Sequence, residues 1–222
     1  RVLPDKPGLN VPIDLAFALH SDAGKRADDS IVGTLGIYYT DNGASNKDGT
    51  PRTNSRVLTD MVMRQITMDI RRSVEPQWKR RSMWDKSYVE ARVPEVPTTL
   101  IELLSHQNFG DMQYGLDPRF QFIVGRSIYK AMARFMAERK CREVVIQPLP
   151  VKSFAISRVG KGKYRLSWQA SIDSLEPTAK PDKYIIFERN GETMGFNKIG
   201  ESKTTYFDVR VNDNDVHSFK IV

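Results

Sequence analysis

Residues 98–108, TTLIELLSHQN, form an apolar run that contains one carboxylate, Glu102. Leu100 and Ile101 before it and the two leucines after it predict a strand buried on both faces, as in a sheet covered by helices. An unpaired carboxylate in such a strand costs several kcal/mol on an order-of-magnitude view. A metal ion, a metal-bound water or a salt bridge to arginine would offset this cost, so Glu102 is a candidate site residue.

A second apolar run, VPIDLAFALHSDAG at 11–24, places His20 at the end of a strand. Apolar residues on both faces between Val11 and Leu19 predict a central strand of the same sheet. His20 then lies at the carboxyl end of that strand, where open α/β sheets place their ligand crevices. A lone histidine is usually structural, but two such strand ends together indicate a site.

The rest of the first 145 or so residues alternates between strand and helix patterns. GTLGIYYT (33–40) predicts a strand, and a loop follows that ends on Asn54 or Ser55 as the N-cap of a helix. Apolar residues three to four apart predict helices over 56–74, which Glu75-Pro76 ends, and from Phe120 to Met136. SYVEARV (87–93) predicts a short strand. The predicted fold class is α/β, with a mostly parallel sheet flanked by helices.

The pattern changes after residue 146. Prolines at 148 and 150 predict a stiff linker over 147–151, which separates a domain at 1–146 from one at 152–222. Short alternating strands follow and predict an antiparallel β-sandwich with Trp168 and Tyr184 pointing inward: SFAIS, KYRLSWQ, DKYIIFERN, MGFNKIG, TTYFDV and HSFKIV.

Composition excludes several classes of function. The net charge of +7 is spread over both halves of the chain, which favours solubility over a nucleic-acid groove. No apolar stretch is long enough to span a bilayer. Cys141 is the single cysteine, so an internal disulfide and a cysteine-based metal site are excluded. Trp78 and Trp84 flank the basic stretch WKRRSMW, where they could stack on sugar rings or pack a helix end.

The first domain resembles the second half of the zinc-dependent N-acetylmuramoyl-L-alanine amidases, the type 3 catalytic domain. The likeness runs from about residue 10 to 138 in a consistent order and spacing. It rests on His20 in FALHSDA, Tyr38 in GTLGIYY, the helix RVLTDMVMRQI, and VPTTLIELLSHQNFGD followed by PRFQFIVGRSIYKAMARFM.

This resemblance implies zinc-dependent hydrolysis of the amide between N-acetylmuramic acid and the first L-alanine of the peptidoglycan stem. His20 matches the last zinc ligand, and Glu102 matches the glutamate that activates the metal-bound water. Asp22 could orient His20 or cap the loop, and His106 could contact the site or simply occupy a turn. The family's other two ligands precede the first strand here, so a fragment is expected, with no activity alone.

The second domain resembles fibronectin type III modules, with its last strand missing. Together the two resemblances imply a bacterial cell-wall hydrolase with a spacer domain, secreted to the periplasm or cell surface, whose partner is peptidoglycan or another glycan. Two alternatives stay open. One is a non-catalytic peptidoglycan or carbohydrate-binding module, and the other is an extracellular polysaccharide-active enzyme such as a lyase or esterase.

Overall fold

The structure is a computed structural model that describes residues 12–192 and 195–222. The chain divides into two compact units, residues 1–144 and 145–222. Among the described residues, no helix is long and apolar enough to cross a membrane. Val11, the predicted start of the first strand, and Met194, in a predicted strand of the second unit, lie outside the described residues.

The first unit contains four strands and four α-helices within its described part. Its strands are β1 (Ala16–Asp22), β2 (Thr34–Tyr38), β3 (Arg80–Asp85) and β4 (Thr98–Ser105). Its helices are α1 (Thr53–Ser73), α2 (Val89–Arg92), α3 (Phe109–Gly115) and α4 (Pro118–Arg139). The strands form one sheet in the order β1-β4-β2-β3.

The sheet is mixed. The pairs β1 with β4 and β2 with β3 are parallel, whereas the middle pair, β2 with β4, is antiparallel, so the mostly parallel sheet predicted from the sequence is interrupted at its centre. The prediction that β1 is a central strand is wrong, because β4 takes that position and β1 lies at the edge of the described sheet. Leu19 on β1 is accordingly 51% exposed, and Leu100 and Ile101 on β4 are fully buried.

Helices α1 and α4 pack on one face of the sheet, where they enclose the main apolar core. Thr99 on β4 faces these helices, since its hydroxyl accepts a hydrogen bond from Thr59 of α1. Side chains alternate between the two faces along a strand, so Leu100, the next residue, points to the other face. There a smaller cluster forms around Leu35, Ile37 and Leu100.

Two segments differ from the predictions. Residues 87–93 do not form a strand, because Tyr88 starts a short helix in which its carbonyl accepts from the amides of Ala91 and Arg92. Arg80–Asp85, within the basic stretch WKRRSMW, is a strand of the sheet that the sequence did not predict. Helix α1 also begins at Thr53, slightly before the predicted caps.

A buried polar network joins α1 to α4. Asp69 Oδ2 lies 2.8 Å from Lys130 Nζ and also accepts from the Ser127 hydroxyl and the Gln65 amide. Asp69, Lys130 and Ser127 are all fully buried. The network therefore places a charged pair inside the contact between the two longest helices.

The second unit consists of two three-stranded antiparallel sheets around a common core. The strands are β5 (Lys152–Gly160), β6 (Lys163–Gln169), β7 (Tyr184–Asn190), β8 (Asn197–Ser202), β9 (Tyr206–Arg210) and β10 (His217–Ile221). They are arranged as β5-β6-β9 and β10-β7-β8. Trp168 and Tyr184 point inward, as predicted, with ring centroids 5.2 Å apart.

Candidate functional site

His20 and Glu102 are direct neighbours across the parallel pair β1 and β4. His20 Nδ1 lies 3.8 Å from Glu102 Oε1. Ala18 and Leu100 are register partners on the same two strands, and they face away from α1 and α4. His20 and Glu102 each lie two positions later in their strand, so their side chains lie on that same face of the sheet. The fold thus brings together the two residues that the sequence singled out at separate strand ends.

Glu102 is held in a desolvated position. Its side chain is only 15% exposed, and its Oε2 is buried without a hydrogen-bond partner among the described residues. Burial raises the pKa of the Glu102 carboxyl above its ordinary value, while the nearby His20 opposes the shift. A carboxylate with a raised pKa and an unpaired oxygen is suited to accepting a proton.

Glu90 on α2 is a third member of the site. Its Oε1 lies 3.6 Å from His20 Nε2, so the imidazole stands between two carboxylates. The sequence did not single out Glu90, because residues 87–93 were interpreted as a strand. A helical turn before Pro94, had it been recognised, would have drawn attention to this carboxylate.

Asp22 and His106 lie beside the pair without bonding to it. Asp22 accepts hydrogen bonds from Arg81, at 2.6 Å, and from the amides of Ala23 and Gly24. It therefore caps the loop after β1, and the Arg81 guanidinium holds the pKa of this carboxyl below its ordinary value. His106 Nδ1 lies 3.1 Å from the Ser21 hydroxyl, which ties the ends of β1 and β4 together.

The two tryptophans of the basic stretch have different surroundings. Trp78 is fully buried, donates from its indole nitrogen to the Thr34 hydroxyl and packs against Phe120. Of the two alternatives for Trp78, these contacts favour packing in the core over stacking on a sugar ring. Trp84 is 39% exposed on β3, and the Arg81 guanidinium lies 6.0 Å from its ring centroid. Its register partner is Ile37, so Trp84 lies on the same face of the sheet as Glu102.

Asp111 on α3 binds backbone amides at the ends of the strands beside the site. Its carboxylate is fully buried and accepts hydrogen bonds from the backbone amides of Val32, Gly33 and Ser105. Ser105 ends the strand that carries Glu102, and Gly33 precedes β2. One side chain thus joins the ends of two neighbouring strands, a role that the sequence analysis missed.

An open cavity of about 650 Å³ adjoins His20. Most of the residues around it are apolar, and they come from β1, from the end of β4 and from α3 and α4: Leu19, Ser21, Leu103, Leu104, His106, Met112, Gly115, Phe120 and Gln121. The cavity therefore reaches His20, whereas Glu102 and Glu90 are not among the residues that line it.

The described residues do not by themselves form a complete metal site. No group of three histidine, cysteine or acidic side chains within 12–192 and 195–222 is placed to hold a metal ion. His20 Nδ1 faces Glu102 while Nε2 faces Glu90, so the two carboxylates approach different nitrogens of the ring. The zinc site implied by the resemblance is not formed by these residues alone.

Replacing Glu102 by glutamine is expected to stabilise the protein at pH 7 but not near pH 4. Because burial raises its pKa, the folded state binds this proton more tightly than the unfolded state. The free energy of unfolding of the wild type should therefore fall as the pH rises from about 4 to values above the raised pKa of Glu102. Glutamine does not titrate, so the variant should be more stable than the wild type at pH 7 and should lose this advantage near pH 4.

Urea unfolding at both pH values measures this effect. Glu143→Gln, at an exposed position, is the control and should show no such dependence on pH. A Glu102→Gln variant that is less stable than the wild type at pH 7 would contradict the assignment of Glu102 as a desolvated carboxylate.

Comparisons with known proteins give structural likenesses only. No family model matches the chain, and no curated protein matches it in sequence. The N-acetylmuramoyl-L-alanine amidase from Clostridium difficile 630 is similar in structure, with 16% identity, a TM-score of 0.46, and 57% of this chain and 59% of that chain covered. The CwlD amidase from Clostridioides difficile, solved in complex with the GerS lipoprotein, has 17% identity and a TM-score of 0.44, with 58% and 57% covered.

A different likeness is to the titin kinase and its flanking domains, with 17% identity, a TM-score of 0.30, and 34% of this chain and 14% of that chain covered. This chain thus spans less than two thirds of the length of each of these proteins. With TM-scores below 0.5, the likenesses do not assign a function, which has to be inferred from the site.

Proposed function

We propose that the first unit belongs to a peptidoglycan hydrolase that cleaves the amide between N-acetylmuramic acid and L-alanine. The observation that supports this most is Glu102, a desolvated carboxylate with an unpaired oxygen, 3.8 Å from an imidazole at the end of a neighbouring strand. The sequence resemblance to the amidases supplies the substrate. The proposal includes a site of action outside the cytoplasm, at the cell wall.

Glu102 is proposed as the general base. Its free oxygen would take a proton from the water that attacks the amide carbonyl, and the protonated carboxyl would pass that proton to the leaving nitrogen. The raised pKa favours this role, because it brings the carboxyl closer to the pH at which it must both accept and release a proton. The nearby His20 opposes this shift.

His20 is proposed as one ligand of a zinc ion. Zinc would supply polarisation of the carbonyl and of the attacking water. Because the described residues contain no group of three ligands, zinc would need further ligands from elsewhere in the protein. The 222-residue chain, loaded with zinc and dialysed, is therefore expected to retain clearly less than one equivalent.

Zinc analysis of the dialysed chain checks this point, with His20→Ala as the comparison. Stoichiometric zinc in the wild-type chain would contradict the incomplete site. Zinc retained equally by His20→Ala would contradict the ligand assignment.

Glu102→Gln is expected to reduce release of peptide from muropeptides by about 10²–10⁴-fold, the usual contribution of a general base. Because this chain alone is expected to be inactive, the assay uses the full-length product of the gene that encodes it. Binding of the muropeptide should persist, since glutamine keeps the size of the side chain. Glu143→Gln serves as the exposed control, and wild-type turnover in Glu102→Gln would overturn the proposal.

A non-catalytic peptidoglycan-binding module is the second candidate. It is favoured by the absence of a three-ligand group among the residues that the structure describes. In that case the full-length product would bind muropeptides without releasing peptide, and Glu102→Gln would change neither property. The same pair of measurements thus separates the two functions.

A further inference from the structure

The face of the sheet that carries Glu102 also carries a guanidinium and an indole ring. Arg80 on β3 pairs with Asp60 of α1, on the helix side of the sheet, so the next residue, Arg81, points to the opposite face. Trp84 shares this face, because the pairing of β2 with β3 shifts register between them. The Arg81 guanidinium lies 6.0 Å from the centroid of the Trp84 ring.

The side chain of Arg81 reaches across the sheet toward Glu102. Its Nη1 lies 2.6 Å from Asp22 Oδ2. Arg81 is on β3 and Asp22 is on β1, the two outer strands of the described sheet, so this ion pair spans the two strands between them. Consistent with this position, burial raises the pKa of Glu102, and the charge of Arg81 is one of the effects that oppose the rise.

Arg81 is held in place while most of its donors remain unused. A guanidinium has five N–H donors. Within the described residues only Nη1 has a hydrogen-bond partner, which is Asp22. The side chain is 25% exposed. One ion pair therefore orients the guanidinium, and its other N–H groups are left to donate to a ligand.

The charges around Arg81 favour an uncharged ligand. Three acidic side chains share this part of the sheet: Asp22, Glu102 and Glu90, which approaches the site from α2. An anion at Arg81 would be repelled by these groups, and Asp22 already neutralises the guanidinium. We therefore expect the free donors of Arg81 to bind neutral oxygen atoms.

Trp84 adds an aromatic surface beside these donors, and 39% of it is exposed. The face of an indole ring is electrically negative, so it attracts the C–H groups on the flat side of a sugar ring. The hydroxyl and acetamide oxygens at the rim of such a sugar accept hydrogen bonds. An N-acetylated sugar thus matches both the ring of Trp84 and the donors of Arg81.

We propose that Trp84 and Arg81 bind an N-acetylated sugar of the glycan strand, on the β3 side of Glu102. The backbones of Trp84 and Glu102 are two strands and two residues apart, which is about 12 Å. The amide attached to the bound sugar would lie at Glu102, and the peptide stem would continue toward His20. The identity of the ligand rests on the proposed function, but the binding does not require catalysis.

The uncharged disaccharide N,N′-diacetylchitobiose serves as the probe, and calorimetric titration of the 222-residue chain measures its binding. Trp84→Ala should weaken binding at least about tenfold, because the stacking surface is lost. Arg81→Lys should have a similar effect, since lysine keeps the charge and can still pair with Asp22 but lacks the planar set of donors. In the wild-type chain, the Nε–H signal of Arg81 and the indole N–H signal of Trp84 should both shift in NMR spectra.

Arg80→Lys is the matched control. Arg80 is the neighbouring residue and is also paired with a carboxylate, but it lies on the other face of the sheet. This variant should bind the disaccharide as the wild type does. Thermal unfolding verifies that the three variants are folded.

The orientation of the substrate is tested with N-acetylmuramoyl-L-alanine methylamide. The 222-residue chain is expected to be inactive, so this ligand stays intact. Nuclear Overhauser effects should connect the Trp84 indole to protons of the sugar ring and not to the alanine methyl group.

Three results would overturn the proposal. One is a wild-type chain that does not bind the disaccharide, and another is equal weakening of binding by Arg80→Lys and Arg81→Lys. The third is an alanine methyl group beside the Trp84 indole. Failure of the hydrolase function would look different, because the full-length product would release no peptide while the disaccharide still bound through Trp84.

Discussion

Replacing Lys130 by methionine is expected to lower the free energy of unfolding of the first unit by about 3–5 kcal/mol. Lys130 Nζ lies 2.8 Å from Asp69 Oδ2, and both side chains are fully buried. Methionine fills a similar volume but leaves the Asp69 carboxylate with neutral donors only, from Ser127 and Gln65. Urea unfolding, followed by circular dichroism, measures the change.

The double variant Asp69→Leu, Lys130→Met separates loss of the charge pair from loss of packing. Because it removes both charges, it should be more stable than the Lys130→Met single variant. If instead the single variant loses less than about 1 kcal/mol, the pair is not the buried element that the structure describes.

Asp111→Ala is expected to destabilise the first unit by about 3 kcal/mol or more, since it leaves three buried backbone amides without their acceptor. The loss would fall on the loops around the site, because Ser105 closes the strand of Glu102. Hydrogen exchange at Val32, Gly33 and Ser105 should therefore speed up more than exchange within α1.

Asp117→Ala is the control for this variant. Asp117 caps α4 by accepting from the Arg119 amide at an exposed position, so its loss should cost only about 1 kcal/mol. Equal destabilisation by the two substitutions would show that Asp111 contributes no more than an ordinary helix cap.

The parts of the fold that local patterns specify were predicted from the sequence. The strand at 98–104, the helices α1 and α4 and the strands of the second unit follow from the spacing of their apolar residues. The adjacency of His20 and Glu102 was also expected, because parallel strands bring their carboxyl ends to one edge.

The parts that depend on pairing between distant segments were not predicted. Whether β1 is central or at an edge depends on which strands lie beside it, and both arrangements are compatible with an apolar strand. The two arginines of β3 obscured this strand in the sequence, because the carboxylates that pair with them, Asp60 and Asp22, come from other parts of the chain. Glu90 contacts His20, 70 residues away in sequence, and Asp111 joins the nearby Ser105 to Val32 and Gly33, which lie more than 75 residues before it.

The distribution of the three tryptophans gives the protein its own optical probes. Trp78 lies in the core of the first unit and Trp168 in the core of the second, whereas Trp84 is partly open to solvent on the Glu102 face. Emission from the first two should shift to longer wavelength as each unit unfolds, so that single-tryptophan variants distinguish the two transitions. Acrylamide should quench mainly Trp84, and a ligand on that face should shield it.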